Sequence, residues 1–99
     1  MKRYRFTDAA EQDITEIWDR IAKDSEATAD RYVGKIKAEC EALVRSPQAG
    51  AIRIDLTPKP LRFWLVGPYN SHFIIYDPAK NPIEIVRVLH GARKISKLL

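Results

Sequence analysis

The sequence has few of the side chains that carry most enzyme chemistry. It contains one cysteine, Cys40, and two histidines, His72 and His90. A single cysteine excludes an intramolecular disulfide, and without a CxxC pair or a Cys/His cluster the usual zinc frameworks are excluded as well. An HExxH sequence and a glycine-rich phosphate loop are also absent. We therefore expect no metal, no other cofactor and no small-molecule substrate.

Long apolar runs are missing too. No stretch approaches the roughly 18 apolar residues that a membrane-spanning helix requires. The basic start at residues 1–6 is followed at once by acids, whereas a secretory signal would continue with an apolar region. We therefore expect a cytoplasmic protein that does not contact the membrane.

What is present is the composition of a folded domain. The chain has 99 residues, of which 45% are hydrophobic and 30% charged. This length predicts a single domain over residues 1–99 with one hydrophobic core. The formal charge of +4 is uneven, because residues 1–45 carry a net −1 and residues 46–99 a net +5. A basic half favours contact with nucleic acid or with an acidic protein surface.

The first half of the sequence predicts a strand and two helices. Apolar and basic residues alternate over residues 3–6, which is the period of a half-buried strand. Thr7 is a suitable N-cap, and apolar residues at three- and four-residue steps then predict a helix to about Asp24. Ser25 caps a second helix, which Ser46 and the following proline end. Two amphipathic helices joined so closely predict an antiparallel helical hairpin.

The second half predicts strands. Residues 47–60 are rich in proline and are predicted to form a loop. Strands are predicted to follow at 61–66, 71–76 and 83–89. Short connections between them predict antiparallel pairing. The last strand is apolar on both faces, which predicts an interior position. The predicted fold class is α+β, with an N-terminal strand and a helical hairpin packed on one face of a mainly antiparallel four-stranded sheet.

One face of this sheet is left without helices. Phe63 and Trp64 are neighbours in a strand and must face opposite sides, so one of the two lies on the less covered face. Such an apolar face marks a partner site, or else the loop 47–60 and the C-terminal tail cover it. The pattern does not choose between these alternatives. Trp18 fits the apolar stripe of the first helix.

The cysteine and the histidines have structural as well as chemical explanations. Cys40 lies on the apolar stripe of the second helix, where a buried structural thiol is expected. His72 is predicted to lie on the surface of the sheet. His90 ends the last strand just before Arg93 and Lys94, and a histidine in that setting can serve as a general acid or base in RNA cleavage. A hydrogen bond that caps the strand end is the favoured explanation.

Arg87 is a single charge within an apolar strand. A half-buried guanidinium is costly unless it is paired. Arg87 therefore either meets a carboxylate, such as Asp77 or Glu84, or points at a ligand. The sequence leaves both options open.

Several runs, taken in order, resemble the ParE branch of the RelE/ParE toxin superfamily. They are Phe-Thr-Asp-Ala-Ala-Glu-Gln-Asp-Ile at 6–14, Ile-Trp at 17–18, Ala-Asp-Arg-Tyr-Val at 29–33, Ser-Pro-Gln-Ala-Gly at 46–50, Ser-His-Phe-Ile-Ile-Tyr at 71–76 and Ile-Glu-Ile-Val-Arg-Val-Leu-His-Gly-Ala-Arg at 83–93. Each run alone is weak evidence, but their order and spacing are specific.

The resemblance implies a toxin that is paired with a ParD-like antitoxin in a hetero-oligomer and that inhibits DNA gyrase. It also implies a role in toxicity for the C-terminal end, here the basic amphipathic tail 93–99. We expect the target-facing residues to be Arg87, His90, Arg93, Lys94 and Lys97. The antitoxin is expected on the outward helix faces and the open side of the sheet, at Trp18, Phe63 and Trp64.

The RelE branch, which cuts messenger RNA on the ribosome, is the alternative. It would use Arg62, Arg87 and His90 for cleavage. Residues 69–72 lack the arginine typical of RelE, however, and no tyrosine follows Tyr76. A plain nucleic-acid-binding module fits the charge but lacks an aromatic RNA-binding signature. We therefore favour a toxin that binds and does not hydrolyse.

Overall fold

A computed structural model describes residues 4–67, 71–91 and 95–99. In chain order its elements are β1 (Tyr4–Phe6), α1 (Asp8–Ala22), α2 (Glu26–Arg45), β2 (Ala51–Ile52), β3 (Arg62–Leu65), β4 (His72–Asp77), β5 (Ile83–His90) and a 3₁₀ turn (Ile95–Lys97). Two predicted target-facing residues, Arg93 and Lys94, lie outside the described residues. In the described part of the chain no helix is long and apolar enough to cross a membrane.

Both helices begin at the predicted caps. The Thr7 side chain accepts a hydrogen bond from the backbone N–H of Ala10, and Ser25 accepts one from Thr28. These bonds satisfy amide groups that have no partner within the helix. The first helix ends at Ala22, two residues before the predicted end, and the second ends at Arg45 as expected.

Within the described residues the sheet has five strands, in the order β1-β5-β4-β3-β2. β1 runs parallel to β5, and the other neighbouring pairs are antiparallel. The predicted α+β class is therefore confirmed, and β5 lies inside the sheet between β1 and β4. The predicted count of four strands is wrong by one. The additional strand is β2, two residues in the expected loop that pair with Arg62 and Phe63.

The main core lies between the helical hairpin and one face of the sheet. Ile36, Cys40 and Leu43 of α2 pack there against Ile74 and Tyr76 of β4. Cys40 is fully buried, which agrees with the predicted structural thiol. Burial, with Glu39 and Glu41 adding to it, raises the pKa of this thiol to about 12. The thiol is therefore protonated at neutral pH and inert as a nucleophile.

The second face of the sheet carries a smaller core of its own. Phe63 is only 4% exposed there, and Leu61 and Ile95 are buried beside it. Leu56 from the loop and Leu98 from the tail pack against this cluster. Of the two alternatives for this face, the structure therefore selects coverage by the loop and the tail, because these segments supply their own apolar side chains.

Trp64 lies on the opposite face and packs against the main core. The expectation of an open sheet face near Trp64 is therefore wrong. The alternation along β3 was predicted correctly, but it does not reveal which of the two faces the helices cover.

The loop before β3 is held by a buried hydroxyl and a guanidinium. Tyr76 Oη accepts a hydrogen bond from Gly50 N at 2.8 Å and donates one to the Pro47 carbonyl at 2.9 Å. Arg62 Nη1 donates to the carbonyl oxygens of Gly50, at 2.7 Å, and Gln48, at 3.2 Å. These contacts bring the chain to the edge of β3, where β2 then pairs.

Gly50 is the position where this arrangement tolerates no side chain. A Cβ atom there would lie 2.7 Å from Tyr76 Oη and 3.1 Å from the Phe63 carbonyl oxygen. We expect Gly50→Ala to lower the free energy of unfolding by about 1–3 kcal/mol, because the buried ring must move. Gly34→Ala is the matched control, since a Cβ on this exposed helical residue would meet nothing within 4 Å. It should raise stability by about 0.5–1 kcal/mol. Urea denaturation measures both, and equal effects of the two variants would contradict the prediction.

Candidate functional site

The outer edge of β5 is capped by the start of α1. β1 pairs with β5 only as far as Phe6 and Ile85, so the ladder on that side ends there. Thr7 Oγ1 then donates to the Val86 carbonyl at 2.7 Å, and the Asp13 carboxylate accepts the Val88 N–H at 3.0 Å. Two side chains thus satisfy backbone groups that a longer β1 would otherwise have paired.

The same carboxylate binds Arg87 through both oxygens. Arg87 Nε lies 2.7 Å from Asp13 Oδ2, and Arg87 Nη2 lies 2.9 Å from Asp13 Oδ1. The side chains are 19% and 4% exposed, so the pair is shielded from water. The hydrogen bond with Asp13 raises the pKa of Arg87 above its usual value. Of the two alternatives for Arg87, the structure therefore selects pairing with a carboxylate. The partner is Asp13 and not Asp77 or Glu84.

Arg87 also reaches the tail. Its Nη1 donates to the Leu98 carbonyl at 3.3 Å. The guanidinium is therefore occupied by contacts within the chain and not aimed at solvent. Glu84, one of the expected partners, pairs with Arg5 of β1.

A cleft opens where the helical hairpin meets the end of β5. We call it the hairpin cleft; it has a volume of about 710 Å³, and Ile21, Tyr32, His72 and His90 are part of its lining. Tyr32 Oη and His72 Nδ1 form a hydrogen bond of 2.7 Å. The His72 and His90 rings meet edge to face, with centroids 5.1 Å apart. The cleft thus gathers aromatic rings from one helix and two strands.

His72 is held in its neutral form. Burial lowers its pKa to about 4, and His90 and Arg20 add to the shift. The sequence indicated a residue on the sheet surface, whereas the structure places the ring against Tyr32 of α2. The sequence missed this pair because it joins residues 40 positions apart.

Cations surround the hairpin cleft. Arg20, Arg31 and Lys35 belong to its lining, and no acid does among the described residues. Arg31 Nη2 donates to Thr28 Oγ1 at 3.2 Å, and Lys35 lies 3.3 Å from the Glu39 carboxylate. These three residues were not among the site residues expected from the sequence.

The remaining predicted site residues are spread over the surface. Lys97 is exposed in the 3₁₀ turn, and His90 borders the hairpin cleft. The Trp18 indole donates to Asp30 at 2.8 Å, bridging the two helices. Phe63 is buried on the other face of the sheet. Trp18, Phe63 and Trp64, the three residues expected to bind an antitoxin, therefore do not form one surface.

Trp64 lines a groove of about 520 Å³ between α2 and β3. Its indole donates to Glu39 Oε1 at 2.8 Å, and Leu43 and Leu65 lie in the same lining. In the described part of the chain, no group of three or more histidine, cysteine or acidic side chains could hold a metal ion.

The fold defines a class: a small α+β protein with a helical hairpin packed on a mixed five-stranded sheet. A similar solved structure is a chain of the "Chromosomal ParDE TA system from P. aeruginosa", with a TM-score of 0.70 and 20% identity, covering 88% of this chain and 92% of that chain. A search of curated proteins found no match. The family model for the ParE toxin of the type II toxin–antitoxin system parDE matches residues 4–95. The chain belongs to this family, as the sequence resemblance implied.

The Asp13–Arg87 pair allows a test of what holds α1 to the sheet. We expect Asp13→Asn to lower the free energy of unfolding by about 3 kcal/mol, because it leaves a half-buried guanidinium without a counter-charge. Asp19→Asn removes an exposed acid from the same helix and should change stability by less than about 0.5 kcal/mol. Denaturant titration of both variants is the measurement. A loss in Asp13→Asn no larger than in Asp19→Asn would refute the structural role.

The lowered pKa of His72 predicts a pH dependence. The unfolded chain binds a proton at His72 near pH 6.5 and the folded chain only near pH 4, so stability should fall as the pH drops between these values. Proton–carbon NMR should show the His72 ring neutral down to about pH 4, with His72→Gln assigning its signal. In that variant the stability should depend less on pH in this window. Titration of His72 at its usual value would show that the ring is not buried as described.

Proposed function

We propose that this ParE-family toxin acts by binding DNA gyrase without hydrolysing a substrate, and that a ParD-like antitoxin neutralises it in a hetero-oligomer. The observation that carries the proposal is that Arg62 and Arg87 direct their hydrogen bonds to groups within the chain. An arginine that stabilises a scissile phosphate must turn its N–H groups towards that phosphate. Here Arg62 donates to the loop carbonyls and Arg87 to Asp13. This supports a toxin that binds over one that cleaves RNA.

The proposed target surface is the basic C-terminal end. It comprises His90 together with the basic residues Arg93, Lys94 and Lys97, whose positive charge suits an acidic protein surface or DNA held by gyrase. Arg87 contributes indirectly, because its bond to the Leu98 carbonyl holds the tail in place. We assign Arg87 as a positioning residue for this surface and not as a contact.

The proposed antitoxin surface is the groove at Trp64 with the neighbouring sheet edge. β2 pairs only with the first half of β3, so in the described chain no strand covers the edge at Leu65. Leu65, Ile52 and Ile54 are 36%, 52% and 83% exposed, although they are large and apolar. An apolar segment lying there would remove this surface from water. Of the three residues expected to bind the antitoxin, Trp64 lines this groove, whereas Phe63 and Trp18 lie elsewhere in the fold.

The proposal also assumes that residues 1–99 act as a single domain in the cytoplasm, where gyrase and an antitoxin are both accessible. The likeness to the Pseudomonas structure supports a fold suited to such a complex. The family supports the pairing with an antitoxin.

A supercoiling assay with purified gyrase tests this function. We expect the protein to inhibit supercoiling, and Lys97→Ala to inhibit severalfold less, because a cation facing the target is lost. Lys80→Ala is the matched control, since this exposed lysine lies in the turn between β4 and β5, outside the proposed surface. The antitoxin encoded beside the gene should restore supercoiling by gyrase that the unmodified protein inhibits. It should not restore supercoiling by gyrase that the Leu65→Glu variant inhibits.

Two outcomes would contradict the proposal. One is unimpaired gyrase at saturating protein. The other is site-specific cleavage of messenger RNA on ribosomes that is lost in His90→Ala, which would favour the RelE-like alternative. Circular dichroism of each variant shows whether it is folded.

A further inference from the structure

We infer that the hairpin cleft is a binding site for a nucleotide, that is, a phosphate attached through a sugar to a planar aromatic base. The cleft lies at the joined ends of α1 and α2. Among the described residues it shares only Lys35 with the groove at Trp64, and it shares none with the cluster under the tail. Neither gyrase binding nor antitoxin binding, as proposed above, uses its interior.

The charge at the cleft is unbalanced. Arg20 and Arg31 make no ion pair with a carboxylate among the described residues, and Lys35 shares its charge with Glu39 on the following turn. Arg20 is close enough to lower the pKa of His72, which places its charge near the aromatic interior. Arg20 also borders a neighbouring cleft that Glu16 and Asp19 line, but the lining of the hairpin cleft itself contains no acid among the described residues. Two arginines that border a cavity of this kind form a site for an anion.

Guanidinium groups favour a phosphate among anions. Their planar N–H groups match the geometry of phosphate oxygens and donate two parallel hydrogen bonds. Arg20 comes from the end of α1 and Arg31 from the start of α2, so an anion held by both would bridge the helices. This places the phosphate at the rim of the cleft.

The interior of the cleft suits a ring system. Ile21 provides an apolar wall, and Tyr32 and the neutral His72 provide aromatic surfaces. Bases stack on such side chains with little dependence on sequence. Ser71 and Thr28 add hydroxyl groups that can bond to a sugar or a base edge.

The volume agrees with this ligand class. At about 710 Å³ the cleft lies within the range of small-molecule sites, roughly 300–1,000 Å³. Because His90 borders the cleft, an occupied site would touch the proposed target surface, and the ligand would lie between the helices and the C-terminal end.

Calorimetric titration with AMP is the direct test. We expect AMP to bind, and adenosine or inorganic phosphate alone to bind about tenfold more weakly, because each lacks half of the recognised chemistry. Arg20→Gln and Arg31→Gln should each weaken AMP binding by about tenfold. Arg45→Gln, at the far end of α2, is the matched control and should bind AMP as the unmodified protein does. NMR spectra should show the His72 ring signals shifting with AMP while the Trp64 indole signal stays unchanged.

Oligonucleotides distinguish the source of the nucleotide. A short single strand that binds only when it carries a 5′-phosphate would identify the end of a nucleic acid as the occupant. Binding of AMP without binding of either strand would identify a free nucleotide. Both results support the site.

Three results would overturn the inference: no AMP binding at millimolar concentration, equal AMP binding by Arg31→Gln and Arg45→Gln, or capture of a glutamate-rich peptide in the cleft in place of AMP. Arg20 and Arg31 are exposed, so these variants should fold, and thermal unfolding checks that they do.

Discussion

The structure depends on one carboxylate. Asp13 accepts two hydrogen bonds from Arg87 and one from the backbone N–H of Val88, so a helix takes over the edge of β5 where β1 stops. Through Arg87 the same contact reaches the Leu98 carbonyl in the tail. The tail in turn helps to bury the second face of the sheet. A single buried ion pair therefore joins the hairpin, the interior strand and the segment that closes the fold.

This use of Arg87 has a consequence for function. A guanidinium that is bonded within the fold stabilises the protein, and the N–H groups that it turns to Asp13 and Leu98 are not available to a phosphate. Arg62 is in a similar position, because it holds the loop that leads into β2. Other basic side chains remain exposed, among them Lys97 in the tail and Arg20 and Arg31 at the hairpin cleft.

Local patterns predicted local structure well. Thr7 and Ser25 cap the helices because a side-chain oxygen at those positions needs only a neighbouring N–H group. The strands follow from alternation and from the turns between them. The sequence did not reveal β2, since two residues carry no periodic signal, and their pairing depends on contacts that Tyr76 and Arg62 make across the fold. Nor did it assign Trp64 to the helix side.

The sequence by itself determined the class, the family and the caps, because these depend on residue type, order and short-range spacing. Only the tertiary structure decided that Asp13 is the partner of Arg87, that Tyr32 meets His72, and that the tail covers Phe63. The physical reason is the same in each case. A charge, a hydroxyl or an apolar ring must find a partner when it is buried, and the chain supplies that partner from a distant position that only packing brings near.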